Sequence, residues 1–137
     1  MTSELKKLHH WDVLALSCID GRFVKRVVDW VSEKAGKVYD YRTEVGCSKA
    51  IADSEIDRKR FFNVVEVAIR LHSIKEIWLI DHIDCGAYGG SKQHADFEAE
   101  QSFHVARLEE AAKIVSAKFP ELKVKKIYAS WDEIEEV

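Results

Sequence analysis

The sequence predicts an α/β fold: a doubly wound, mostly parallel four-stranded sheet with helices on both faces. Three observations carry that expectation. Short apolar runs lack the polar alternation of a half-exposed strand, segments of helical apolar spacing lie between them, and the two kinds alternate along the chain. Such alternation calls for parallel strands joined by right-handed crossovers, each strand covered on both faces.

The first element is residues 12–18 (DVLALSC), a short apolar run read as a strand. Over residues 22–35, Phe23, Val24, Val27, Val28 and Val31 recur at helical spacing, and Gly36 stands where a helix end favours positive φ. Residues 37–43 (KVYDYRT) are rich in β-forming types and give the second strand. Residues 45–54 are expected to form a loop. Asp53 and Ser54 are candidate N-caps for a helix reaching Ser73, with Asp57 in its first turn and Phe61, Val64, Val65, Ala68, Ile69 and His72 on its apolar face. Residues 75–81 (KEIWLID) give a third strand whose unbroken apolar centre places it inside the sheet. A glycine-rich turn at 86–90 precedes a long helix from about residue 96 to 118, which Pro120 ends. Residues 122–129 (LKVKKIYA) are the fourth strand, and the acidic tail 132–137 is weakly specified.

The 137 residues suit one domain spanning 1–137. With 21 Lys and Arg against 24 Asp and Glu, the formal net charge of −3 offers no basic excess for a phosphate backbone, so no nucleic-acid partner is expected. The start of the chain lacks a signal-peptide pattern, and no stretch approaches the roughly 18 apolar residues of a membrane span, so no membrane association is expected. Three cysteines cannot all pair internally. A cytoplasmic location, where thiols stay reduced, is the expectation, and thiol or metal chemistry becomes the question.

In a doubly wound sheet, ligands bind beyond the carboxyl ends of the strands. The first strand ends in Cys18-Ile-Asp20-Gly-Arg22 and the third runs into His82-Ile-Asp-Cys85-Gly86. Alternate residues of an extended segment project to one side, so Cys18, Asp20 and Arg22 can share a direction, and a tight turn can bring His82 and Cys85 to one point. Two cysteines and a histidine form a zinc ligand set, and three protein ligands with an open fourth position are the pattern of catalytic zinc. The plainer alternative is that Cys18 is a buried thiol. Against it, Asp20 and Arg22 would be costly to bury without a polar purpose.

The paired motifs CxDxR and HxxCG resemble the zinc-site signature of the β-class carbonic anhydrases, and DHIDCGAYGG is similar to that family's stretch GHTDCGG. A second strand ending in Arg42 extends the resemblance. It implies a Zn2+ ion held by Cys18, His82 and Cys85, and a catalytic pair, Asp20 and Arg22. In that family's manner, Asp20 would accept a hydrogen bond from zinc-bound hydroxide while Arg22 keeps it ionised and turned away from the metal. Asp20 would be a fourth ligand in a closed resting form. The implied activity is the lyase reaction of carbonic anhydrases, reversible hydration of carbon dioxide to bicarbonate, by a homodimer or higher homo-oligomer. Hydrolysis of carbon disulfide or carbonyl sulfide on the same site, or zinc binding without catalysis, are the alternatives. Two local departures stand out: Gly21 where the family commonly has serine, and residues 42–47 (RTEVGC) where it has an Arg-Asn-Ala-Gly loop.

The remaining candidates have plainer readings. Cys47 is expected to be a small loop residue, His94 and His104 helix-face histidines, and His9 and His10 solvent-exposed. Tyr88 and the turn glycines either line the cavity or only shape the turn. Thiol phosphatase chemistry is disfavoured because no arginine follows Cys85 in GAYGGSK, and dinucleotide binding because the first turn lacks the glycine-rich pattern.

Overall fold

The computed structural model describes residues 2–137. After a short N-terminal helix, α1 (Thr2–Leu5), the chain alternates β1 (Val13–Ser17), α2 (Gly21–Ala35), β2 (Asp40–Thr43), α3 (Ser48–Asp53), α4 (Glu55–His72), β3 (Glu76–His82), α5 (Phe97–Lys118), β4 (Lys123–Ala129) and β5 (Ile134–Glu136). The strands form one sheet in the order β2-β1-β3-β4-β5, parallel except for the last pair. The chain moves outward from β1 to β2, then returns past β1 to β3, so the winding reverses between β1 and β3. That is where such sheets open a crevice.

The apolar run of β1 is buried throughout because helices cover both faces. Val13, Ala15, Trp78 and Ile80 face α2 and pack with Phe23, Val27 and Val31. Leu14, Leu16, Ile77 and Leu79 face the other way, against Ile51, Phe61, Val65, Leu108 and Val115 of α3, α4 and α5. The register pairs Ser17 with Ile80. Cys18 therefore leaves β1 at the level where β3 delivers its last residues, Asp81 and His82.

Local signals set most boundaries. Ser54 accepts the Asp57 N–H at 3.2 Å to start α4, and Asp96 accepts the Ala99 N–H at 2.8 Å to start α5. Gly36 ends α2 with φ +93°. The segment expected to be a loop, 45–54, instead contains α3, with Ser48, Ala50 and Ile51 buried. Its start has no local side-chain cap; the Ser48 N–H is satisfied by Asp81 Oδ1 at 3.1 Å, 33 residues away in sequence, which no local pattern reveals. The acidic tail supplies β5, an antiparallel edge strand of three residues held by pairing with β4 rather than by apolar pattern, so the sheet has five strands, not four. No helix among the described residues is long and apolar enough to cross a membrane.

Candidate metal centre

Beyond the carboxyl ends of β1 and β3, Cys18, His82 and Cys85 converge: one ligand atom from each lies within 4.8 Å of the others, and all three residues are buried. The ring of His82 is fixed by two contacts. Its Nδ1 lies 2.6 Å from the Ile83 carbonyl, and since a carbonyl only accepts, Nδ1 carries the hydrogen. Phe23 of α2 stacks on the ring at 4.4 Å with an interplanar angle of 28°. The other nitrogen, Nε2, is left buried with no hydrogen-bond partner among the described residues. A buried lone pair without a donor is costly, and a cation among these three atoms would satisfy it.

The two thiols respond oppositely to their surroundings. The neighbouring Cys85, with smaller help from His82 and from the Gly46 N–H, pushes the Cys18 thiol down against the opposing effect of burial. Cys85 is pushed up by the neighbouring Cys18 and by burial. Burial works against a charged His82, yet the neighbouring Cys18 thiolate raises it overall. The Gly46 N–H reaches Cys18 Sγ at 3.4 Å only because Gly46 has φ +77°, and a Cβ there would lie 2.9 Å from Lys49 Cβ and 3.0 Å from Ala87 Cβ.

Asp20 and Arg22 stand at the outer rim. Asp20 caps α2, its Oδ1 accepting the Arg22 N–H at 3.0 Å, while the Arg22 side chain donates Nε at 3.0 Å to Oδ1 and Nη2 at 2.6 Å to Oδ2. This grip holds Asp20 down to about 2. Asp20 Oδ2 lies 3.8 Å from His82 Nε2 but does not join the close group of ligand atoms. The expected burial of this pair is corrected: the Arg22 side chain is 49% exposed and that of Asp20 18%. A helix cap and a solvated guanidinium make the pair affordable, so burial cost is not what marks it as functional.

The turn carrying Cys85 is pinned by Asp84, a non-glycine residue at φ +59°. Asp84 Oδ1 accepts the Ser91 N–H at 2.8 Å, Oδ2 accepts Arg22 Nη1 at 3.0 Å, and its own N–H donates to buried Glu100 at 2.7 Å. The Ser91 amide, then Arg22, keep the Asp84 carboxyl below its usual range. Outside the buried cluster, Asp20, Arg22, Asp84, Lys92, Gln93 and the turn glycines line an open cavity of about 670 Å³.

On the opposite face of β3, Asp81 is fully enclosed. Ser48 donates its N–H at 3.1 Å and its hydroxyl at 2.6 Å, and His104 Nδ1 lies at 2.7 Å. Tyr88 OH meets Ser48 Oγ at 2.7 Å, and burial, reinforced by Asp81, pushes the phenol up. His104 is thus not an ordinary helix-face histidine but a buried partner of Asp81. His94 lies in the turn before α5, 4.9 Å from the Phe103 ring. Cys47 is likewise more than a loop filler: it is fully buried at φ +45°, its thiol donating to the Leu16 carbonyl at 3.4 Å, and it is not in the ligand group. Arg42 pairs with Glu44 at 2.7 Å. The sequence reading found the three converging residues and the Asp20–Arg22 pair. It missed Asp84 and Asp81, whose signal was the two carboxylates flanking His82 in DHIDCG, and Ser48, Glu100 and His104, which carry no local signal.

Comparison with known proteins adds the following. A protein-family model described as “Putative carbonic anhydrase” matches residues 9–137. An uncharacterized protein of Rickettsia conorii is 33% identical over 127 residues, covering 88% of this chain and 68% of the relative. One from Rickettsia bellii is 32% identical over 127 residues, covering 88% and 77%. Among solved structures, the β-carbonic anhydrase CafA of Aspergillus fumigatus superposes with a TM-score of 0.55 at 14% identity, over 100% of this chain and 80% of that one, a likeness of fold.

Proposed function

Because the chain belongs to the family described as “Putative carbonic anhydrase”, and is a divergent member resembling β-carbonic anhydrases, we propose that it binds Zn2+ and hydrates carbon dioxide reversibly to bicarbonate. The single observation that carries this reading is the convergence of Cys18, His82 and Cys85 around a buried, unpartnered His82 Nε2. Two sulfurs and one imidazole nitrogen fit zinc, which prefers tetrahedral N and S donors and leaves a fourth position when only three come from protein.

When bound, zinc acts as a Lewis acid that acidifies a coordinated water. With two thiolates and a neutral imidazole, a zinc site would be formally neutral, so the acidification would be weaker than with three histidines, and the surrounding residues matter more. His82 offers Nε2 because the Ile83 carbonyl holds the hydrogen on Nδ1. Asp20, ionised well below neutrality by Arg22, accepts hydrogen bonds but cannot donate them. A water held by the ion would have to turn a hydrogen toward the Asp20 carboxylate, which would leave a lone pair free for the carbon of carbon dioxide. Arg22 holds the carboxylate through both oxygens and keeps it in that accepting orientation. The open cavity outside this pair, with Arg22 and Lys92 among its lining, would admit a small neutral molecule and let an anion leave past those two cations.

Purified protein should contain one zinc per chain and release protons when carbon dioxide is added near pH 8. A fully zinc-loaded protein without hydration activity from neutral to alkaline pH refutes the enzymatic reading. Hydrogen sulfide release from carbon disulfide or carbonyl sulfide, in place of hydration, redirects the same site to those substrates. A homodimeric or larger assembly and a cytoplasmic location belong to the same reading, the first tested by light scattering.

A further inference from the structure

The turn between β4 and β5 places Trp131 over the rim of the site. The turn is held by its own hydrogen bonds, the Ser130 N–H to the Glu133 carbonyl at 2.8 Å and the Ser130 hydroxyl to the same oxygen at 3.1 Å. It is anchored to α2 by Arg26, whose Nη1 donates to the Ser130 carbonyl at 3.0 Å. Trp131 therefore sits at a fixed place although half its surface is exposed. Its ring lies 5.2 Å from Phe23, which stacks at 4.4 Å on His82. The Arg22 guanidinium carbon lies 5.3 Å from the Trp131 ring centre and 5.7 Å from that of Phe23.

Arg22 thus has carboxylates on one side, Asp20 and Asp84, and aromatic rings on the other. Its hydrogen bonds fix where the guanidinium points. They do not by themselves prevent a half-exposed arginine from exchanging its grip on Asp20 for water. A ring over the guanidinium keeps water off one face and adds attraction for the cation without competing for its N–H groups.

We propose that Trp131 is a positioning residue: it covers Arg22 and so keeps Asp20 gripped at the rim, off the cluster formed by Cys18, His82 and Cys85. The inference rests on the reading of that cluster as the metal site, but its first measurement does not require activity.

The Arg22 Nε–H is the reporter, identified in 15N-edited NMR spectra by its loss in Arg22→Lys. In metal-free and zinc-loaded protein, Trp131→Ala should speed solvent exchange of this hydrogen roughly two- to fivefold, the factor that an exposed cation–π contact supports. Trp131→Phe should restore most of the protection, and Trp131→Leu, which fills space without the π face, should not. In the zinc-loaded enzyme the kcat for hydration should fall by a similar factor in Trp131→Ala, with zinc content unchanged. Equal exchange rates in wild type, Trp131→Ala and Trp131→Leu would overturn the proposal. Should Trp131→Ala fail to fold, the Leu and Phe variants decide by the same criterion. Exchange that responds as expected in a protein inactive toward carbon dioxide would uphold the positioning role and refute the proposed activity.

Discussion

Replacing His104 by leucine tests how far the buried Asp81 side chain depends on His104. In the folded chain the side chains of His104 and Asp81 are each 1% exposed, and Nδ1 meets Oδ2 at 2.7 Å. Removing one member of such a pair leaves the other desolvated and uncompensated, a loss of about 3–5 kcal/mol. Two features reduce it. Ser48 still supplies its N–H and hydroxyl to Asp81, and the substitution removes His104 Nε2, which is buried without a partner and costs about 1–3 kcal/mol where it is. The difference leaves a net destabilisation of about 2 kcal/mol. Urea unfolding of metal-free protein reads it directly, with the m-value required to stay constant so that midpoint shifts mean stability. The companion variants Asp81→Asn and Asp81→Asn/His104→Leu complete a cycle whose coupling should exceed about 1 kcal/mol, since the two groups touch. A loss below about 0.5 kcal/mol in His104→Leu, or coupling near zero, would refute the argument that Asp81 depends on His104.

Four further outcomes are expected. Cys18→Ser or Cys85→Ser should abolish stoichiometric zinc binding, read by metal analysis after dialysis; unchanged zinc would remove either residue from the ligand set. Zinc should raise the unfolding midpoint of wild type and a chelator should lower it, because a ligand that binds only the folded chain at 1,000 times its Kd adds about 4 kcal/mol; equal midpoints by calorimetry would deny the cluster a metal. Gly46→Ala should cost about 1–3 kcal/mol and weaken zinc retention, since φ +77° and two Cβ atoms within 3.0 Å leave no place for a methyl; a stable variant with full zinc would show that the amide at Cys18 is dispensable. Asp53 is held below its usual range by Arg107, then Lys49, so its contribution is present above its unfolded value of about 3.9 and fades as pH falls below it; Asp53→Asn should therefore flatten the acid limb of the stability curve between about pH 5 and 3, and parallel curves would contradict it.

How much of this was legible in the chain depends on the range of the signal. β1 and β3 announce themselves because burial on both faces removes polar alternation, and α2, α4 and α5 because caps and apolar spacing are local. The convergence of Cys18 with His82 could be inferred across 64 residues because parallel strands in one sheet end at one edge. α3 could not, since its first N–H is satisfied by Asp81 and its residues are buried by α5 rather than patterned for it. β5 exists only as the antiparallel partner of β4. Tertiary context likewise decides His104, whose position on α5 is ordinary until Asp81 is placed opposite it.

The two polar systems around the site are separated by the pleat of β3. Adjacent strand residues point to opposite faces, so His82 turns toward Phe23 and α2 while Asp81 turns toward Ser48 of α3 and His104 of α5. In the family stretch GHTDCGG the position before the histidine is glycine, with no side chain on that second face. Here it carries a carboxylate, and the chain supplies three donors to receive it. The consequence is a division of labour across one peptide. Changes at Asp20, Arg22 or Trp131 act on the open side, where the Arg22 side chain is 49% exposed and losses of grip are repaired by water, so they should change turnover more than stability. Changes at Asp81, Ser48 or His104 act where no water can replace a lost donor, so they should lower stability first and reach the Cys18–His82–Cys85 cluster through the backbone, by way of His82 next to Asp81 and of Gly46, two residues before Ser48, whose N–H meets Cys18.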